Sequence, residues 1–203
     1  GLKMNNHTVI TISRQYGSGG RELANKIAEK LGYKLFDRQI VHLAAAQIGI
    51  DDLSEDNLRN LENNVTPLSL SFIPFFNFGS RNTGFNNDIF INEAKAIRKL
   101  ASDNDCVILG RCADFILEDL PNHYSFFICA NDDYREKRGK EVYDGKSLKE
   151  LNEEDNKRAN YYKYYTKQNW GDPKNYDMII NTSKVSLDKA ADIIISYVKS
   201  NKK

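Results

Sequence analysis

TVITISRQYGSGGRELANKIAEKL, residues 8–31, is the stretch whose reading decides the fold. A β-rich run at 8–12 passes through Ser13-Arg14-Gln15-Tyr16-Gly17-Ser18-Gly19-Gly20-Arg21 directly into an amphipathic helix. Leu23, Ala24, Ile27, Ala28 and Leu31 recur at helical spacing, which leaves Glu22, Asn25, Lys26, Glu29 and Lys30 for the solvent side. Gly32, directly after the last periodic residue, reads as the helix C-cap. Strand, glycine-rich turn and helix together make a phosphate cradle. Glycines let successive backbone N–H groups turn inward as a nest, and the helix N-terminus adds its partial positive charge. Set against the phosphate-binding pattern G-x-x-x-x-G-K-[ST], the lysine position holds Gly20, the Ser/Thr position Arg21 and the opening glycine position Arg14. The missing lysine charge would then come from Arg21 or Arg14, whose forked guanidinium suits phosphate oxygens. No residue obviously replaces the magnesium-binding hydroxyl, although Ser18 is close in sequence. The competing reading is a tight strand-to-helix turn that binds nothing.

A chain of 203 residues suits one large domain, or a core with a small mobile insertion. With 40% hydrophobic residues it can build a sizeable core. The net charge of +1 gives no global field to gather nucleic acid or anionic lipid. Nothing approaches the ~20 consecutive apolar residues of a membrane span. Residues 1–7 are polar and lack a signal-type apolar region, and residues 1–6 are set aside from the fold argument. Cys106, Cys112 and Cys129 are odd in number and show no metal spacing. Two of them lie in apolar strand-like runs, as expected of buried thiols in a reducing cytoplasm. His7, His42 and His123 are scattered and read as structural or surface histidines.

Further along, residues 33–37 (YKLFD) read as a short second strand ending on an acid. A helix then runs from Asp37-Arg38-Gln39 to about Ile48, with Ile40, Val41, Ala44, Ala45 and Ile48 inward. Residues 51–63 suggest a surface helix. Residues 65–87 (VTPLSLSFIPFFNFGSRNTGFNN) have no sustained periodicity and many aromatics, which suits a substrate-covering arm or a partner contact. A helix follows at 87–101, then an apolar strand at 106–109 ending in Gly110-Arg111, with Asp114 beyond. Residues 124–130 form another strand, and Asn131 is expected to cap the next helix. Residues 148–168 are charged and tyrosine-rich, 176–181 make the last strand, and Ser186 caps a terminal helix. Strands alternating with helices predict an α/β fold, a parallel sheet with right-handed crossovers and helices on both faces. Ligands collect at the carboxyl ends of such strands, so the 17–21 loop, Asp37-Arg38 and Gly110-Arg111 should share one crevice.

The set ISRQYGSGGREL, FDRQIV, VILGRCADFIL, YYKYYTKQNW and YDMIINTS resembles the nucleoside monophosphate kinases, most closely the cytidylate kinase-like group of bacterial proteins, over nearly the whole chain from Thr8 onward. The resemblance implies a P-loop kinase-like domain at 8–201, with a substrate-binding arm at 51–87 and a lid at 144–173. It implies phosphoryl transfer from ATP, with Mg2+, to a nucleoside monophosphate in the cytoplasm. Gly17, Ser18, Gly19 and Gly20 look like the donor-phosphate loop, and Asp37 stands where such kinases carry an acid after the second strand. Gly110-Arg111 is similar to the Gly-Arg of the acceptor-binding Gly-Arg-Asp motif, with Cys112 in the place of its acid and Asp114 the nearest carboxylate. Arg158 lies where lid arginines occur. The arginine expected on the helix after Asp37 has no counterpart at that spacing, and only Arg38 is near.

Phosphoryl transfer needs positioning and cations on the oxygens where charge accumulates. Arg14 and Arg21 therefore suit the donor phosphates, Arg38 and Arg111 the acceptor phosphate, and Arg158 closure over both. Blander roles compete: Arg111 paired with Asp114 or Glu118, Asp37 as a helix cap, Arg158 as a solvated charge, and the tyrosines as helix packing with snorkelling lysines. Asp37 and Asp114 are the carboxylates open to magnesium. Other outcomes of the same fold are a kinase for a different small-molecule acceptor, or a catalytically weak nucleotide-binding or interaction module. The expected partners are small nucleotides rather than nucleic acid or membrane, with homo-oligomerisation left open.

Overall fold

The computed structural model describes residues 6–46 and 87–203. Its sheet has five parallel strands in the order β2-β3-β1-β4-β5. They are β1 (Val9–Arg14), β2 (Lys34–Phe36), β3 (Cys106–Leu109), β4 (His123–Cys129) and β5 (Met178–Asn181). Around them lie α1 (Gly20–Leu31), α2 (Arg38–Ala46), α3 (Asn87–Asp103), α4 (Ala113–Ile116), α5 (Asp132–Val142), α6 (Leu148–Thr166) and α7 (Leu187–Asn201).

The alternation of side chains along each strand divides the core into two layers. Ile10 and Ile12 of β1, with Val107, Leu109, Phe126 and Ile128, pack under α1 and α7. Val9, Cys106 and Ile108 face the other way, against Val41 and Ala44 of α2 and Ile97 and Leu100 of α3. Both layers are built of almost fully buried side chains. Its register holds Ile12 opposite Leu109 and Phe126, so β3 ends there while β1 runs two residues further beside β4, and the loops after β1 and β3 open at the same edge of the sheet.

The local signals mostly hold. Gly32 closes α1 in the left-handed conformation, its N–H and that of Tyr33 reaching the carbonyls of Glu29 and Ala28. Ser186 Oγ accepts from the Lys189 amide at the start of α7. Three expectations need correction. β1 runs on through Ser13 and Arg14, which pair with Phe127 and Ile128 of β4. Asn131 precedes α5 without a side-chain cap bond, because its Oδ1 accepts from Asn181 Nδ2 instead. The last strand starts at Met178, since Pro173–Asn175 forms a 3-10 turn capped by Asp172. Ile48, the surface helix at 51–63 and the arm lie outside the described residues, except that Asn87 opens α3.

Candidate functional site

At the carboxyl ends of β1, β2 and β3 a cleft of about 510 Å³ opens against α6. One wall is the loop after β1. Gly17 (φ 82°) and Gly19 (φ 80°) take conformations that few L residues adopt. Ser18 is fully buried, and its Oγ donates to the Gln15 carbonyl at 2.7 Å and accepts the Gly20 amide at 3.3 Å. Among the described residues no acceptor is found for the amides of Gly17, Gly19 and Arg21. The serine holds the turn from within, and the loop amides stay available to an anion.

Arg14, the last residue of β1, lies against the position where the motif carries its lysine. A Cβ added to Gly20 would lie 2.4 Å from Arg14 Cβ and 2.7 Å from its Cγ. A Cβ added to Gly110 would lie 2.7 Å from Arg14 Nη1. The arginine stem therefore fills the space that a side chain at position 20 would need, and its guanidinium lies across Gly110. Burial, followed by the nearby charges of Arg158 and Arg21, drives the Arg14 pKa well below its ordinary value. Such crowding is relieved by an anion.

The turn after β3 is strained. Gly110 (φ 70°), Arg111 (φ 59°) and Cys112 (φ 57°) are successive left-handed residues, at a cost of about 1–2 kcal/mol for each non-glycine. This conformation carries the Arg111 side chain to the floor of the cleft, where Nε donates to Glu93 Oε2 at 3.0 Å and Nη2 to Tyr161 Oη at 3.1 Å. Arg111 thus pairs with Glu93 of α3, and not with Asp114 or Glu118. Burial works against the Arg111 charge, but Tyr161 and Glu93 outweigh it and raise its pKa. Burial also pushes the Glu93 carboxyl up, while His42 and Arg111 hold it below the usual range. His42, 3.6 Å from Glu93, belongs to this cleft and is no incidental surface histidine.

Asp37 caps α2, as one of its two expected roles requires, and also pairs with Arg21. Its Oδ1 accepts the amides of Gln39 and Ile40 at the start of α2, and its Oδ2 meets Arg21 Nη2 at 2.9 Å. Arg38 lines the cleft beside it, its pKa lowered to about 10 by burial and then by Arg111. From α6, Arg158 Nη1 donates to the Arg14 carbonyl at 3.0 Å, and its guanidinium lies 5.1 Å from the Tyr16 ring centre. It is half-buried and faces the cleft, so it is no solvated charge. Lys146 stands over the same ring at 4.9 Å. Tyr161 and Tyr165 give the cleft an aromatic side, while Tyr162 packs inward.

Asp114 does not join them. The strained turn rotates it into the protein, where it accepts from Tyr162 Oη at 2.8 Å, and burial pushes its pKa up to about 6 against that bond. It is therefore removed as a magnesium ligand. Among the described residues no group of three or more His, Cys, Asp or Glu could hold a metal. No helix there is long and apolar enough to cross a membrane.

Glu93, Lys146, Arg135 and Asp155 are site-shaping residues that motif reading passed over. Glu93 carried a signal: it lies three residues after Phe90 and four before Ile97, on the inner face of α3, and a carboxylate there demands a cation.

The assembly is similar to other solved proteins. An uncharacterized protein from Eubacterium ventriosum is 30% identical, with 96% of this chain and 99% of that chain aligned at a TM-score of 0.72. Shikimate kinase from Acinetobacter baumannii, in complex with shikimate, is 13% identical over 98% of this chain and 97% of its own, at a TM-score of 0.51. Shikimate kinase from Bacteroides thetaiotaomicron is 14% identical over 95% and 98%, at 0.52. These last two share the P-loop kinase fold with this chain. No curated protein matches it. A model of the cytidylate kinase-like family matches residues 9–184, and this chain belongs to that family.

Proposed function

We propose that this protein transfers the terminal phosphoryl group of ATP to a nucleoside monophosphate. The observation that carries the reading is the charge of the cleft. Among its described lining residues, seven cationic side chains face three carboxylates, and they stand beside a loop with open amides. A neutral acceptor would leave that excess unanswered; a triphosphate and a monophosphate together answer it.

The roles follow from placement. Amides of Gly17, Gly19 and Arg21 bind the donor's terminal phosphates, and Arg14 supplies from the strand the charge that a lysine usually brings from the helix. Arg38 and Arg111 hold the acceptor phosphate, and Arg158 of α6, part of the 144–173 lid, bridges the two. Arg21, held by Asp37, adds charge at the donor end. Little covalent work is asked of the protein, which aligns the two phosphates and offers fixed donors to the charge that develops between them. Asp37 is the candidate carboxylate left in the cleft, but its Oδ1 takes the α2 amides and its Oδ2 pairs with Arg21, so magnesium would be held mainly by phosphate oxygens. When bound, that ion would neutralise phosphate charge.

The position of Asp114 favours keeping a second reading, a kinase for another phosphorylated acceptor, because the nearest acid to Gly110-Arg111 faces Tyr162 and does not read a base in the cleft.

The test is ADP release from ATP and magnesium with a panel of nucleoside monophosphates and other phosphorylated metabolites. Monophosphate-dependent ADP supports the first reading, and ADP with another acceptor the second. ATP binding with no acceptor-dependent ADP would leave only a nucleotide-binding module. Arg14→Ala and Arg38→Ala should each lower turnover at least about tenfold, as loss of one charged donor to a transition state does. Arg111→Ala is a poorer probe, since it strands the buried Glu93 carboxylate.

A further inference from the structure

The peptide groups on both sides of Tyr16 are gripped from outside the loop. The Tyr16 amide donates to Asp155 Oδ1 of α6 at 2.8 Å. Its carbonyl accepts from Arg135 Nε of α5 at 2.9 Å. These two side chains are themselves paired, Arg135 Nη2 to Asp155 Oδ2 at 2.7 Å. Arg135 is only 2% exposed, and its remaining nitrogen, Nη1, reaches Asn152 Oδ1 at 2.9 Å and Asp132 Oδ1 at 3.3 Å. Behind them there is no slack. A Cβ on Gly17 would lie 3.1 Å from the Arg135 carbonyl, and a Cβ on Gly139 2.4 Å from that of Lys146.

A buried, fully bonded ion pair is weak evidence for stability, because desolvation offsets much of its attraction. It is better suited to fixing one geometry. Here that geometry is the orientation of the last peptide before Gly17, from which the phosphate-facing amides follow. In this loop no lysine bridges helix and phosphate, so beyond the Ser18 bonds its order has to come from outside it.

We propose that Arg135 and Asp155 are positioning residues that hold the phosphate-binding loop in its receptive form, and that the loop is receptive only while α6 is docked on it. Neither side chain lines the cleft; both act through the Tyr16 backbone. This rests on the donor-phosphate role given to the loop above. Arg158 adds a second tie, its bond to the Arg14 carbonyl, so α6 holds the chain on either side of Gln15, where the strand passes into the loop.

Magnesium-ATP binding, followed by calorimetry on the full chain, tests the idea alongside acceptor KM. Asp155→Ala should bind ATP at least about tenfold more weakly while acceptor KM stays within about twofold, the split expected when only donor positioning is lost. Asp155→Asn keeps an oxygen for the Tyr16 amide and should recover most of the affinity. A merely structural role would instead lower the unfolding temperature and leave affinity below that temperature intact. If the wild type binds ATP and a folded Asp155→Ala binds equally well, the positioning role is wrong and the donor-site reading stands. If the wild type binds no ATP, the donor-site reading fails and takes this one with it. Should Asp155→Ala not fold, amide exchange in the wild type decides: the Tyr16 amide should open together with the amides of α6, and opening independent of α6 overturns the coupling.

Discussion

At the residue scale, the exchange between Arg14 and Gly20 is the most telling feature. In the motif a glycine ends the strand and a lysine starts the helix; here an arginine ends the strand and a glycine starts the helix. The two positions touch, so each substitution requires the other. Gly20→Ala tests this directly. The new methyl would meet Arg14 Cβ at 2.4 Å, too near the backbone for a flexible tip to swing away. Alanine favours a helix by about 1 kcal/mol over glycine, but overpacking costs ~1–3 kcal/mol. We expect a modest loss of stability with ATP affinity reduced at least about tenfold as Arg14 is displaced, measured by thermal unfolding and calorimetry on one sample. Unchanged affinity would show that Arg14 has no part in the donor site. The sequence alone offered Arg14 and Arg21 as equal substitutes. It could not choose, because the deciding fact is contact across a turn, whereas Arg21 is 56% exposed and tied to Asp37. Asp114 misled for a related reason. Its nearness in sequence to Arg111 suggested a shared site, and the run of three left-handed residues turns it away.

At the scale of elements, the period of apolar residues made α1, β3 and α7 legible, since each buries one stripe or two faces with few exceptions. Strand ends were harder. Ser13 and Arg14 are polar because β1 ends at the cleft, so its hydrophobic pattern stops before its ladder does. The α5–α6 pair is equally hard to read, because both helices are rich in charge and nothing in the pattern marks Arg135 and Asp155 as the two that are buried against each other. Helix α1 permits a clean separation of fold from function. Gly32 adopts φ 66° at its C-cap, and a Cβ there would meet nothing within 4 Å. Gly32→Ala should therefore cost only the left-handed backbone penalty, about 1–2 kcal/mol, and lower the unfolding temperature by roughly 2–8 °C. Kinetics at lower temperature should not change, since α1 meets the cleft at its other end. A change in ATP affinity with that substitution would mean that α1 shifts as a body against the loop.

For the whole molecule, the buried Asp114 and the partly exposed His123 set opposed responses to pH. Asp114 has its pKa raised from 3.8 to about 6, by burial acting against the Tyr162 bond. The folded state therefore holds this proton more tightly than the unfolded chain, and the stability it adds is full below pH 3.8 and lost as pH rises through about 6. His123, the first residue of β4 and beside β1 with a ring nitrogen 2.7 Å from Thr11 Oγ1, has its pKa lowered from 6.5 to about 4, chiefly by burial. Its contribution is full above pH 6.5 and is lost as pH falls through about 4. At ~1.4 kcal/mol per pH unit, each can shift stability by on the order of 3 kcal/mol. Between about pH 4 and 6 their slopes therefore cancel in the intact protein. Single substitutions unmask them. Asp114→Asn keeps an acceptor for Tyr162 and removes the acid-side gain, so stability should fall more steeply on acidification from pH 6 to 4 than in the wild type. His123→Gln keeps a partner for Thr11 and removes the acid-side loss, so over the same interval stability should rise as the pH falls. Glu93, held below its usual range, titrates in all three proteins and cancels from the comparison. Unfolding temperatures across this interval measure the divergence directly. Parallel curves for the three proteins would mean that neither group is buried as strongly as the fold places it.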